Sequence, residues 1–236
     1  MDWFDSTYYH ILYKNRDYNE ARNFINNIIE YLGIIKGANV LDLACGIGRH
    51  SIYLEKIGFN VVGTDSSYNN IKKAKITQNQ NLKFFQMEMI EDTYKKYDAI
   101  FNLFTSFGYV DDDYNLKTIQ NIERQLKEKG IVIIDFMNTL FVKKNLVKEE
   151  TKVIDNIEFR ILRRSDNKYI YKEIRFNDKK DFLFQERVMN LSLNNFKSYL
   201  KKYNLKIIQL FGDYNLNKFD KNNSERLIMV IKKSQP

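Results

Sequence analysis

Two carboxylates and a pair of glycines stand at spacings that suit the binding of a nucleotide-type cofactor. The first run is Val40-Leu41-Asp42-Leu43-Ala44-Cys45-Gly46-Ile47-Gly48-Arg49-His50, and the second is Asn60-Val61-Val62-Gly63-Thr64-Asp65. An apolar strand entering a glycine turn and a helix, then a second strand tipped by an acid, is the order of a cofactor cradle and points to an enzyme. Gly46 and Gly48 let the backbone bend sharply and come close to a ligand at a helix N-terminus. Asp65 stands where a carboxylate accepts hydrogen bonds from ribose hydroxyls, and its charge disfavours a 2′-phosphate.

The spacing differs from that of a dinucleotide site. The third small residue of G-x-G-x-x-G would fall at Ser51, and an acid, Asp42, stands four residues before Gly46. This acid-x-x-x-G-x-G pattern resembles motif I of the class I S-adenosylmethionine-dependent methyltransferases. The resemblance implies S-adenosylmethionine as cofactor and S-adenosylhomocysteine as product. Ala44, Cys45, Gly46 and Gly48 would present backbone groups to the amino-acid part of the cofactor, while Asp42 would order the turn or reach the ammonium through water. Asp65 would take the ribose hydroxyls, with Ser66 and Ser67 either beside it or serving only as helix caps. Glu88 and Met89 correspond to the adenine side, where a carboxylate accepts the exocyclic amine and a thioether packs on the ring. The family more often has Asp where Glu88 stands. Asn102, Leu103 and Phe104 would line the methionine end and the channel towards the acceptor.

The elements that must position these residues are legible in the apolar periodicity. Asn19 to Leu32 carries Phe24, Ile25, Ile28, Ile29 and Leu32 at helical spacing, with Gly33 placed to end it. Strands are predicted over 39–43, 60–64, 82–87, 97–104 and 131–136, with helices over 49–57, from Ser66 or Ser67 to about Lys75, and from Asp112 to Lys127. Gly130 is read as the stop before the fifth strand. From Lys152 to about Asn190 the pattern becomes short polar strands with turn signals at Asp155-Asn156, Ser165-Asp166-Asn167 and Asn177-Asp178, which predicts an antiparallel insert. A helix over 194–203 and strands over 206–211 and 226–232 complete the chain. The expected fold is α/β: a Rossmann-like class I methyltransferase sheet, mostly parallel with a C-terminal antiparallel strand pair, flanked by helices and carrying a small antiparallel β insert. One domain is expected, with 1–36 as an N-terminal aromatic lid and helix, 37–145 as the cofactor-binding core, 146–191 as the insert, and 192–236 as the closing helix and strand pair.

The resemblance extends over nearly the whole chain, which is similar to small-molecule class I methyltransferases that place an antiparallel insert before the last helix. Trp3 to Tyr13 looks like that group's aromatic N-terminal segment, which folds over the cofactor, and Phe211-Gly212-Asp213-Tyr214 and Ser224-Glu225-Arg226-Leu227-Ile228 match its closing pattern. Methyl transfer from a sulfonium needs mainly a nucleophile held close, aligned and shielded from water, so a base is optional. Residues expected near the methyl group are Tyr9, Tyr13, Arg16, His50, Thr105, Ser106, Tyr109, Phe136 and Asn138. His50, Tyr9 and Tyr13 are the catalytic candidates: His50 as a general base or a structural group, and Tyr8, Tyr9 and Tyr13 as an aromatic wall or simple lid packing. Arg187 beside Glu186 is read either as a carboxylate anchor or as a surface ion pair. Cys45 is expected to be buried packing beneath the cofactor.

Composition bounds the remaining choices. A chain of 236 residues, 44% hydrophobic and 29% charged, buries one good core. One cysteine allows no intramolecular disulfide. No stretch approaches the roughly 18 apolar residues of a membrane span, and the first residues lack the basic start and apolar core of a signal peptide, so a cytoplasmic protein off the membrane is expected. The formal charge of +8 comes from lysines spread among Asn, Glu and Asp, so nucleic acid is the less expected partner and a small-molecule acceptor the preferred one. No metal-ligand spacing, phosphate-binding G-x-x-x-x-G-K-[ST] loop or Ser-His-Asp arrangement is present. Two other classes stay open: an RNA or protein methyltransferase, against which the lack of an Asn-Pro-Pro-Tyr tetrapeptide at Asn102-Leu103-Phe104-Thr105 argues, and a non-catalytic S-adenosylmethionine-binding module. A monomer or homodimer is expected.

Overall fold

The apolar runs and glycine punctuation of the chain produce alternating helices and strands in its first half and four consecutive strands between residues 149 and 189. A computed structural model describes residues 3–14 and 18–234. The first half runs α1 (Thr7–Leu12), α2 (Tyr18–Leu32), β1 (Asn39–Leu43), α3 (Arg49–Lys56), β2 (Asn60–Asp65), α4 (Tyr68–Ala74), β3 (Leu82–Gln86), β4 (Tyr97–Asn102), α5 (Asp112–Gln125) and β5 (Leu126–Met137). The second half runs α6 (Thr139–Lys144), β6 (Glu149–Ile154), β7 (Ile157–Ser165), β8 (Tyr169–Asn177), β9 (Asp181–Met189), α7 (Leu193–Lys201), β10 (Leu205–Phe211) and β11 (Arg226–Lys233).

The main sheet has the order β10-β11-β5-β4-β1-β2-β3. β1 to β5 pair in parallel, while β11 is antiparallel to both β5 and β10. From β1 the chain builds outward to β2 and β3, then crosses to place β4 on the other side of β1. That reversal is the switch point at whose carboxyl edge open α/β sheets hold ligands. Alternating residues feed the two faces: Val40, Val61, Ala99 and Phe101 pack with Phe24, Ile28, Leu54 and Ile71 from α2, α3 and α4. Leu41, Leu43, Val62 and Ile100 pack with Ile119, Ile122, Phe196 and Leu200 from α5 and α7. Caps fix the helix starts near the site. Ser67, not Ser66, accepts the Asn70 N–H at the start of α4, and Asp111 accepts the Tyr114 N–H at 2.8 Å at the start of α5.

The four-stranded antiparallel sheet β6-β7-β8-β9 is separate from the main sheet, and its turns fall at the three expected places. One face buries Phe159, Ile161, Ile174, Phe176 and Phe184 against Trp3 and Leu12 of the N-terminal segment. That segment is helical, which the aromatic run did not announce: Ser6 caps α1 by accepting the Tyr8 N–H. Several boundaries differ from the reading of the sequence: β4 ends at Asn102 and not at Phe104, because Phe104 and Thr105 turn to positive φ. α5 ends at Gln125, and β5 begins at Leu126, because Leu126 is buried opposite Tyr97; the register then jumps to Ala99 opposite Ile131, so residues 127–130 form an irregularity within the strand. Gly130 therefore lies inside β5 and does not end the helix. α6 is the second addition, a single helical stretch before the insert. Among the described residues no helix is long and apolar enough to cross a membrane.

Candidate active site

At the carboxyl edge of the sheet, where β1 and β4 part, lies a cavity of about 760 Å³. It is floored by the tips of β1 to β4 and roofed by Phe4, Asp5, Tyr9, His10, Tyr13 and Lys14 of the N-terminal segment. After Leu43 the backbone turns through Ala44, Gly46 and Gly48, all at positive φ (63°, 58° and 82°). Gly48 is required twice, since its φ is left-handed and a Cβ there would lie 2.6 Å from the Phe84 ring. The turn delivers the chain into α3 and leaves Cys45, Gly46 and Ile47 on the cavity wall.

Four titratable groups sit on or beside this turn. The Asp65 carboxylate accepts the Gly46 N–H at 2.8 Å on one oxygen and the Ser67 N–H at 3.0 Å on the other. A carboxylate has about four acceptor positions, so capacity for hydroxyl donors remains. Burial raises its pKa, opposed by the Ser67 and Gly46 N–H groups. Asp42 is 1% exposed and takes the Ser51 hydroxyl at 2.5 Å. Burial pushes its pKa from 3.8 up to about 6, with the Asp65 charge adding and the Ser51 hydroxyl opposing. His50, in the first turn of α3, is buried with its Nε2 unpartnered, and its pKa is lowered well below the usual range by burial and by Arg49. It is a neutral imidazole beside the Phe104 ring, 5.2 Å away. Cys45 is buried and burial pushes its thiol up, so it is a packing group and not a nucleophile.

On the far side of the turn, Glu88 is exposed and accepts the Tyr114 hydroxyl at 2.7 Å, and Met89 lies next to it on the wall. Asn102 is fully buried: its amide donates to the Leu43 carbonyl at 3.0 Å and meets the Met89 sulfur at 3.4 Å, and its Oδ1 has no partner. Asp42, Ala44, Cys45, Gly46, Asp65, Ser66, Glu88, Met89, Leu103 and Phe104 share the cavity with His50, Tyr9 and Tyr13. Gly48 and Asn102 stand behind its wall and shape it.

Several expected acceptor-side residues go elsewhere. Tyr8 faces the insert, donating to Asp178 at 2.7 Å between Phe176 and Phe182. The aromatic wall is instead Tyr13–Tyr9–Phe4–Tyr109, with ring centroids 4.9, 5.5 and 5.0 Å apart in turn. Phe136 packs in the core, and Asn138 donates to the Lys221 and Ser224 carbonyls. Arg187 lies over the Tyr169 ring, while Glu186 pairs with Lys172 at 3.0 Å. Arg16 lies outside the described residues. Thr105, Ser106 and Tyr109 do line the cavity.

Two features were missed in the sequence. Asp5 ties the roof to the ribose-side loop: it accepts the Ser67 hydroxyl, the Asn69 N–H at 3.0 Å and the Asn69 amide at 2.7 Å, and His10 Nε2 meets Asn70 Oδ1 at 2.9 Å. Burial lowers the His10 pKa. The second is Asp135, fully buried in β5, which takes the Arg226 guanidinium at 2.7 Å and the Tyr214 hydroxyl at 3.1 Å. An acid inside Ile131-Val132-Ile133-Ile134-Asp135-Phe136 was the available signal, because a buried charge demands a partner.

The residues present fit a nucleoside-bearing cofactor. A carboxylate closes the second strand, the turn before α3 exposes backbone at left-handed positions, and His50 Nε2 is a buried polar atom without a partner. Together with the switch-point sheet, this defines a Rossmann-like enzyme of the nucleotide-cofactor class. Residues 14–210 match the family model described as a methyltransferase domain. The chain belongs to the class I S-adenosylmethionine-dependent methyltransferase family.

In sequence it is 27% identical over 142 residues to a protein of Geobacillus sp. (strain WCH70) named as a methyltransferase, covering 58% of this chain and 56% of that one. It is 33% identical over 109 residues, 44% of each chain, to the ubiquinone biosynthesis O-methyltransferase of Pelagibacter ubique. The matches span about half the length of these relatives. In structure it is similar to an S-adenosylmethionine-dependent methyltransferase from Clostridium acetobutylicum, with TM-score 0.83 and 20% identity over 97% of this chain and 96% of that one. A sugar N-methyltransferase of Streptoalloteichus gives 0.76 and 15%, over 96% and 93%.

Proposed function

We propose that the protein transfers a methyl group from S-adenosylmethionine to a nucleophilic atom of a small-molecule acceptor. The observation that carries this reading is the arrangement of Asp65, the Ala44–Gly48 turn and the roofed cavity around one space. Asp65 holds the ribose, Glu88 and Met89 flank the adenine, and the backbone of 44–46 with Asp42 receives the amino-acid end. When bound, the cofactor supplies a methyl group already activated on a sulfonium.

The chain's own residues then align and enclose the acceptor. Tyr9 and Tyr13 form the roof side, and His50 the floor side, of the space left beside Leu103 and Phe104. Aromatic faces there favour a cationic or planar partner. His50, neutral because it is buried, accepts a hydrogen bond from the nucleophile better than it carries off a proton. The roof excludes water from the transfer. A roofed cavity of this volume lies within the roughly 300–1,000 Å³ range of small-ligand sites, which supports a compact acceptor, as do the sugar and glycopeptide N-methyltransferases among its structural neighbours.

The test is incubation with methyl-labelled S-adenosylmethionine and three acceptor pools: small amines, phenols and amino sugars; total RNA; and total protein. Label should enter the low-mass pool, and its incorporation should fall at least tenfold in Tyr9→Ala. Label entering RNA or protein alone would contradict the small-molecule reading.

A further inference from the structure

Phe104 and Thr105 line the cavity, and both have left-handed backbones, with φ of 59° and 60°. Two consecutive non-glycine residues hold that conformation only when their surroundings impose it. Here Asp135 receives both backbone N–H groups. The Asp135 carboxylate accepts the Phe104 N–H at 2.9 Å, and the Asp135 backbone carbonyl accepts the Thr105 N–H at 2.9 Å.

Asp135 is itself fixed from behind. Arg226, at the start of β11, donates Nε to it at 2.8 Å and reaches the Thr105 hydroxyl at 3.0 Å. Tyr214, in the β10–β11 connection, donates its hydroxyl to the same carboxylate and stacks on the Phe104 ring at 5.2 Å and 28°. None of Asp135, Arg226 and Tyr214 lines the cavity. A buried ion pair contributes little stability beyond what apolar residues of the same volume give, whereas this one contacts the two strained residues through side chain and backbone, and Tyr214 adds its ring.

We infer that Tyr214, Asp135 and Arg226 are positioning residues, a clamp that sets the Phe104–Thr105 wall against the amino-acid end of the cofactor and the transferring methyl group. The inference rests on the proposed cofactor placement, and it adds the closing segment of the chain to the site. The clamp acts on one half of the cofactor only. The nucleoside half is held on the other side of the turn, by Asp65 and Glu88.

The experiment compares two probes by calorimetric titration: S-adenosylhomocysteine, which has the amino-acid tail, and 5′-methylthioadenosine, which lacks it. Tyr214→Phe keeps the ring stack and removes the bond to Asp135; Arg226→Lys keeps a charge and removes the fork. Both variants should bind S-adenosylhomocysteine at least fivefold more weakly, and bind 5′-methylthioadenosine within twofold of wild type. Unchanged affinity for both probes would overturn the clamp, and so would a parallel loss of both, which marks general loosening of the fold. If Arg226→Lys fails to fold, Tyr214→Phe alone decides. Wild-type protein that binds neither probe would remove the cofactor placement and the clamp with it.

Discussion

Asp42→Asn should be more stable relative to wild type at pH 8 than at pH 4, with the gap between them swinging by about 2–3 kcal/mol. Burial lifts the Asp42 carboxyl from 3.8 to about 6, and a tenfold change in a proton-binding constant corresponds to about 1.36 kcal/mol. The sign follows from proton counting. Between those two values the native state binds a proton that the unfolded state has released, so unfolding is favoured as pH rises. The contribution of Asp42 to wild-type stability therefore declines from just below pH 4 to about pH 6 and stays reduced above that. Asparagine at this position does not titrate, and its amide oxygen can still accept the Ser51 hydroxyl. Any constant effect of the new amide group cancels when the two pH values are compared. For a domain of this size the swing corresponds to roughly 4–12 °C in Tm, measured by calorimetric melts at both pH values. A gap that stays constant would show that the Asp42 carboxyl is not desolvated in the native protein. Retention of an unfavourable carboxylate at this place is what a site for a cationic ammonium would require.

Asp65→Ala should weaken S-adenosylhomocysteine binding by roughly a hundredfold or more. Hydrogen bonds to a charged group contribute about 1.5–3 kcal/mol each, and two ribose hydroxyls together account for at least two decades of affinity. The substitution also removes the acceptor for the Gly46 and Ser67 N–H groups, so circular dichroism should accompany the titration to confirm that the variant is folded. Asp65→Asn, which keeps one carbonyl acceptor, should fall between the two. A dissociation constant within threefold of wild type in a folded Asp65→Ala protein would remove the ribose role.

What is legible in the sequence of this protein is local. Val40 to His50 is a strand, turn and helix whose two glycines sit at left-handed φ, and each of those facts is encoded within eleven residues. The insert is equally readable, because its turns depend on neighbouring Asp and Asn side chains. What escapes a reading of the sequence is set by distant partners. Asp135 and Arg226 are 91 residues apart in sequence, and their pairing depends on β11 entering the sheet antiparallel to β5. Tyr8 and Tyr9 are adjacent, yet α1 sends one to the insert and the other to the cavity, a division that depends on a six-residue helix capped by Ser6. Gly130 looks like a helix stop and so displaces the expected start of β5. Tertiary pairing of Leu126 with Tyr97 overrides it.

If the cavity at the β1–β4 switch point takes S-adenosylmethionine, added ligand must raise the unfolding temperature of the protein. A ligand at about 100 times its dissociation constant adds roughly 2.7 kcal/mol to the native state, which moves the midpoint of a protein this size by several degrees. S-adenosylmethionine and S-adenosylhomocysteine should each produce that shift in the wild type and neither should in Asp65→Ala, while NAD and NADP should leave both proteins unmoved. A shift with NAD and none with the adenosyl compounds would contradict the assignment of the cavity to S-adenosylmethionine.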